Sequence, residues 1–195
     1  YKGHTIQEIS YALHNFAKEW IKNNNVIVIR PYFVPSKKRV KYEKHFVLDG
    51  VNIYNLPVYR IPKTHVYYYK NVEKMLKELK FNPDKIVAHL SSSFIWGYKL
   101  AKKFEADFIA GIHNSDLKHI NYKKYDKVFK NSYKIACRSE SIKRLLLGEF
   151  PYLTNKVFVA NSGIPKNEIE SKQFFINKIA SWKHKREVRF LTVAL

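Results

Sequence analysis

From residue 84 to residue 161 the chain repeats one pattern, and no other feature restricts its fold as strongly. Short apolar runs, "DKIVAHL", "DFIAGI", "YKIACRS" and "KVFVANS", alternate with "SFIWGYKLAKKF", "YKKYDKVFKN" and "ESIKRLLLGEF". The runs are too short for helices and too continuously apolar for strands with one wet face. The segments between them carry apolar residues at steps of three and four. Strands and helices in strict alternation predict an α/β fold, a parallel sheet with helices on both faces.

The first third is less regular. "GHTIQEISYALHNFAKEW" predicts a helix with a Thr5-x-x-Glu8 capping box and an apolar stripe through Ile6, Ile9, Leu13, Phe16 and Trp20. "VIVIRPYF" reads as a short buried strand that Pro31 ends, leaving Arg30 at its tip. "VPSKKRVKYEKHF" reads as an exposed basic loop, and "DGVNIYNLPVYRIP" as an edge strand or an irregular extension because of its glycine and prolines. A helix is predicted over 69–80, with Val72, Leu76 and Leu79 on one side.

A glycine ahead of a capped helix, with no strand before it, suggests that the first strand of the sheet is lacking. "RFLTVAL" at the far end reads as the opening strand of a further domain. The expected division is a first domain over 1–165, a linker helix over 166–187 and the start of another domain over 188–195. The first residue is tyrosine, which suggests a trimmed chain.

In open α/β sheets, ligands bind beyond the carboxyl ends of the strands. Each run here ends in polar residues: Arg30; His89 with Ser91, Ser92 and Ser93; His113, Asn114, Ser115 and Asp116; Arg138, Ser139 and Glu140; Asn161, Ser162 and Gly163. A buried strand gains nothing from ending in His-Asn-Ser-Asp unless a polar ligand meets its tip. His89 and His113 are suited to hydrogen-bond sugar hydroxyls or phosphate, or to carry a proton near neutral pH. Gly3 before the first helix offers backbone N–H groups to a phosphate. The histidines have no short-spacing partners and no cysteine beside them, which argues against a metal site. Neither G-x-G-x-x-G nor G-x-x-x-x-G-K-[ST] is present.

Charge adds a partner. Lysine and arginine number 36 against 16 acidic residues, a formal net charge of +20. With no apolar run near the ~20 residues that span a bilayer, a peripheral anionic membrane surface at the cytoplasmic face is one expected partner. Nucleic acid is the alternative, and Tyr67–Tyr69 reads either as a stacking platform for it or as a membrane-interface cluster. The helix over 121–131 sets Tyr122, Tyr125 and Phe129 against Lys123, Lys124, Lys127 and Lys130. The lone Cys137, inside "YKIAC", is expected in the core and points to a reducing compartment.

The order of "GHTIQEISYALHNFAKEW", "DGVNIYNLPVYRIP", "NPDKIVAHLSS", "FIAGIHNSD", "YKIACRSESIKRLL" and "KVFVANSGI" resembles the N-terminal, Rossmann-like half of family 4 glycosyltransferases of the GT-B fold. The resemblance implies a retaining transferase that takes a nucleotide-sugar donor, needs no metal or other cofactor, and builds a cell-surface polysaccharide or glycolipid on a glycan or lipid-linked acceptor. It implies that Gly3 lies near the donor phosphates and that His113 faces the reacting sugar. His89, Asn114, Asp116, Arg138 and Ser139 would line the acceptor side of the cleft. The family turn usually has two glycines where this chain has "KGH", and its usual "NG" is "NSG" here. The family's paired glutamates lie in the second domain, so the fragment alone is expected to be inactive. The competing expectations are a non-catalytic basic α/β module that binds nucleic acid and an adaptor that kept the fold without the chemistry.

Overall fold

The structure is a computed structural model that describes residues 10–34, 43–59, 68–114, 116 and 122–161, with 171, 173, 174, 176, 177 and 180 beyond them. Gly3, the Thr5–Glu8 capping box and "RFLTVAL" lie outside the described residues, as do Tyr67, Ser115, Ser162 and Gly163. The chain divides into two compact units, Tyr1–Ser162 and Gly163–Leu195. In the second, the Ser171 hydroxyl accepts from the Phe174 amide.

The described elements of the first unit are α1 (Tyr11–Trp20), β1 (Ile27–Val34), β2 (His45–Leu48), β3 (Val51–Tyr59), α2 (Tyr68–Glu78), β4 (Lys85–His89), α3 (Ser91–Phe104), β5 (Asp107–Ile112), α4 (Tyr122–Asn131), β6 (Lys134–Cys137), α5 (Glu140–Glu149) and β7 (Val157–Val159). Strands β4, β5, β6 and β7 form a four-stranded sheet in that order, parallel throughout. This is the α/β architecture that the alternating segments predict, and β5 and α4 coincide with "DFIAGI" and "YKKYDKVFKN".

The first three strands form a separate mixed sheet in the order β1-β3-β2. "DGVNIYNLPVYRIP" supplies β3, which is central in that sheet rather than at its edge: β1 pairs with it in parallel and β2 antiparallel. Pro57 lies beyond the described pairing of β2, which reaches Tyr54. The end of the expected basic loop folds as β2. Its turn into β3 is Asp49-Gly50, both at positive φ, the two-residue hairpin geometry that Asp-Gly favours.

Arg30 does not end its strand. β1 continues to Val34; among the described residues it is the outer strand of its sheet, a position where proline is tolerated. Arg30 Nε donates to Asn55 Oδ1 (2.8 Å), and Asn55, buried on β3, donates in turn to the Glu43 carbonyl.

Three apolar clusters hold the unit together. The largest lies on one face of β4–β7, where Phe94 and Phe129 meet edge to face among Ile112, Ile135, Cys137, Leu146 and Leu153. Burying each such side chain contributes about 1.5–3 kcal/mol. Cys137 is fully buried as expected, and burial pushes its thiol up to about 12, far from a reactive thiolate. The second cluster joins Tyr68, Val72 and Leu76 of α2 to Leu100 of α3, with Ile27 and Ile29 of β1 against it. Leu79 falls past the end of α2 and is exposed. Tyr68 is a core residue, its hydroxyl donating to the Leu56 carbonyl and its ring edge-on to Trp96, so it cannot be a stacking platform.

The third cluster is Ala17, Val51 and Ile53 with Ile21 of the turn after α1. Here the predicted stripe is displaced. Ser10 is extended at the N-cap position of a helix that starts at Tyr11, without a side-chain cap bond, and Ile6 and Ile9 lie outside the described residues. The buried face is His14 and Ala17, because His14 Nε2 meets the Asp49 carboxylate at 3.0 Å in the hairpin turn. Phe16 is only half-buried and faces elsewhere.

Candidate functional site

Strand alternation builds the site. Ala88, Ala110, Ile112, Ile135 and Cys137 all face the large cluster. Side chains one residue away point to the opposite face of the same sheet. That face therefore carries, at the carboxyl ends of three adjacent strands, His89, Gly111, His113, Ala136 and Arg138. Register aligns them: His89 pairs with Gly111, Gly111 with Ala136 and Ile112 with Cys137.

The two histidines reach each other across the glycine. His89 Nδ1 lies 3.3 Å from His113 Nε2, with the rings edge to face at 76°. A β-carbon on Gly111 would fall 2.5 Å from His89 Nδ1 and 2.9 Å from Cε1, so only glycine lets the His89 ring lie over β5. Burial, then the neighbouring His113 and Arg138, lowers the His89 pKa to about 4. His113 is lowered as well, by its own partial burial and by Arg138, against an opposing pull from Asp116. Both rings are thus neutral at pH 7, each with one N–H donor and one lone pair.

Gly111→Ala is expected to cost about 2 kcal/mol, the scale of overpacking a close contact. It should also drive the His89 ring off His113. Chemical denaturation with imidazole NMR checks both effects. An unchanged midpoint with unchanged histidine resonances would mean that the ring has room that the structure denies it.

Asp116 supports the histidines from behind. Its carboxylate is 2% exposed and has both oxygens engaged: Oδ1 accepts from the Ser91 amide (2.7 Å) and Oδ2 from the His113 amide (2.8 Å). The Asp116 amide donates back to the His113 carbonyl at 3.0 Å. Helix α3 begins at Leu90, which has no side-chain cap to offer, and has no acidic residue in its first turn. Asp116 supplies that missing acceptor and negative charge from the neighbouring strand tip. It also fixes a strained turn, since Leu90 has φ +70°, which a β-carbon disfavours. The Ser93 hydroxyl completes the turn, donating to the His89 and Leu90 carbonyls, and the Tyr125 hydroxyl donates to the Ser91 carbonyl.

Arg138 extends the row. Its guanidinium carbon stands 5.0 Å from the centre of the Phe16 ring of α1, which explains why Phe16 leaves the helix core. Burial lowers its pKa. Ser139, expected in the cleft, caps α5 by accepting from the Ile142 amide at 3.2 Å. Asn114 is exposed just past His113, and Asn161 is exposed after β7.

The structure therefore brings His89, His113 and Arg138 together, with Asp116 acting as their support. Arg30 is held by Asn55, and Ser139 by its cap. Sequence reasoning alone does not single out Gly111 or Leu90; the small residue inside "FIAGI" is the available signal for Gly111. Among the described residues no three His, Cys, Asp or Glu side chains converge as a metal site, and no helix is long and apolar enough to cross a membrane.

A parallel sheet whose polar strand tips gather on one rim also constrains kinship. Compared with curated proteins, the chain has no significant match. The sequence profile described as Glycosyltransferase Family 4 matches residues 9–168, from the residue before the α1 cap to just past β7. With that span covering every strand that carries the site, the chain belongs to glycosyltransferase family 4, whose members are retaining enzymes of the GT-B fold.

Proposed function

We propose that this chain is the acceptor-side half of a transferase that passes a sugar from a nucleotide-sugar to a glycan or lipid-linked acceptor in cell-surface polysaccharide or glycolipid synthesis. The observation that carries the reading is the neutral His89–His113 pair at adjacent strand tips, braced by Asp116. In that role His113 faces the reacting sugar. A neutral imidazole can donate to one hydroxyl oxygen and accept from another without the cost of burying a cation. His89 holds the ring of His113 from the side away from the ligand. Gly3 would lie near the donor phosphates, and a second domain would supply most nucleotide contacts.

Exposed lysines suit the same setting. On α4, Lys124, Lys127 and Lys130 face outward while Tyr125, Val128 and Phe129 are buried. Each such lysine near an anionic leaflet contributes about 1 kcal/mol. Docking on the cytoplasmic face of a membrane would bring a lipid-linked acceptor to the rim.

The test is sugar transfer by the protein with a second domain present. His113→Ala should lower kcat/KM about tenfold, the loss of roughly one transition-state hydrogen bond, with the circular dichroism spectrum unchanged. The 195-residue chain by itself should transfer nothing. Undiminished transfer by the variant would remove His113 from the reaction, and transfer by the fragment alone would overturn the division of labour.

A further inference from the structure

Arg138 is the charged member of the rim, and its charge has no visible counterpart. Its Nη1 is buried with no hydrogen-bond partner. Among the described residues no carboxylate lies within ion-pair distance of it. Asp116, the acidic group nearest the histidines, has both oxygens committed to backbone amides. A buried donor left unmade costs about 1–3 kcal/mol, and such a group in a folded protein calls for an explanation. Phe16 stacks against the guanidinium and gives it a dry flank, but an aromatic face accepts no N–H bond in the guanidinium plane.

The neighbours are of the same kind. His113 follows Ile112 and Arg138 follows Cys137, the last register pair of β5 and β6, so the two side chains project side by side from one face. The Arg138 amide donates to the Ile112 carbonyl, which ties the two tips together. Two imidazoles able to donate and a guanidinium with an unpartnered Nη1 thus border the rim, and among the described residues no carboxylate is paired with them. A phosphate meets this arrangement well: it accepts several bonds at once and matches the planar fork of arginine.

We propose that Arg138, together with His113, binds a phosphate group carried by the acceptor, so that the acceptor is a phosphorylated sugar or a phospholipid-type molecule rather than a neutral glycan. The assignment rests on the reading of this rim as the acceptor side. Arriving anionic charge would oppose the Arg138 field at both histidines and raise their pKa values. The groups facing His113 in that titration are His89 from β4, Asp116 from its own tip and Arg138 from β6.

The experiment is a titration of the 195-residue chain, read at the His89 and His113 imidazole resonances by NMR. The probes are glycerol 3-phosphate, sodium chloride at matched ionic strength, and uridine diphosphate as the donor-type comparison. Saturable shifts with glycerol 3-phosphate, and a His113 pKa that rises with it, are expected. Arg138→Gln should weaken the binding at least ~10-fold, as loss of a charge-assisted bond implies. Arg138→Lys should recover part of it and guards against a folding defect in the first variant. The proposal is overturned if the wild-type protein gives no saturable shift, if chloride reproduces the shift, or if Arg138→Gln binds as tightly. It is equally overturned if uridine diphosphate binds through Arg138 while glycerol 3-phosphate does not. None of these failures touches the transfer reading, which stands or falls on sugar transfer by His113→Ala.

Discussion

Replacing Asp116 with alanine is expected to destabilise the chain by about 3 kcal/mol or more. The side chain is almost fully buried and accepts two backbone bonds, one from the start of α3 and one from the end of β5. Bonds to a charged acceptor contribute roughly 1.5–3 kcal/mol each. Their loss would leave the Ser91 and His113 amides without the acceptor that the buried carboxylate supplies. The cost is compounded at Leu90, where the strained entry to α3 would be left to the Ser93 and Tyr125 hydroxyl bonds and to the Leu90 amide on the Gly111 carbonyl. Asp116→Asn keeps one acceptor oxygen but points an N–H pair at the other amide, so at least half of the loss should remain. Urea unfolding read by circular dichroism measures both. A loss below about 1 kcal/mol in the alanine variant would show that the carboxylate is not the brace its two bonds imply. In the same variant the His113 resonances should broaden or move, since its amide is half of the clamp.

That brace marks how far the sequence can be read. The parallel sheet is legible because the strands from β4 onward are short Ile/Val/Ala runs separated by helices with one apolar face. The gathering of His89, His113 and Arg138 is legible too, since strand tips in such a sheet share one rim. The illegible features depend on partners distant in the chain. The cap of α3 comes from a residue 25 positions later, so no local pattern announces it. The face that α1 buries is chosen by Asp49 in a hairpin turn, and it overrides the stripe that Leu13, Phe16 and Trp20 suggest. Locally, Pro31 signals a strand end and Pro57 an edge, although proline stops a strand only where a neighbour needs its N–H. The hairpin itself has a local signal, Asp49-Gly50, masked by the basic residues before it.

The second large effect is acid lability in a window that belongs to imidazole. In the unfolded chain His89 titrates near its ordinary value of 6.5, and in the folded chain near 4, chiefly because burial disfavours the cation. Folding therefore competes with protonation. Above about pH 6.5 the ring is neutral in both states and the stability is fully present. Below that, the unfolded state takes up a proton that the folded state refuses, and stability is lost until the folded ring titrates near pH 4. With these values the loss between pH 7 and pH 5 is about 2 kcal/mol, rising to roughly 3 kcal/mol by pH 4 and below. His113, lowered in the same direction, adds to it. Asp49 and Glu73 are held below their ordinary carboxylate values by the basic side chains beside them, so their contributions are lost lower on the pH scale. A His89→Gln variant should accordingly lose much less stability than wild type between pH 7 and pH 5, and the gap between the two should stop widening below pH 4. Parallel curves for the two proteins would place the acid sensitivity outside His89, and would mean that the His89 ring is open to water in solution. A wild type that instead gains stability relative to His89→Gln as the pH falls would mean that His89 is charged in the folded protein, reversing the polarity of the rim on which both the sugar-facing role of His113 and the anion-binding role of Arg138 depend.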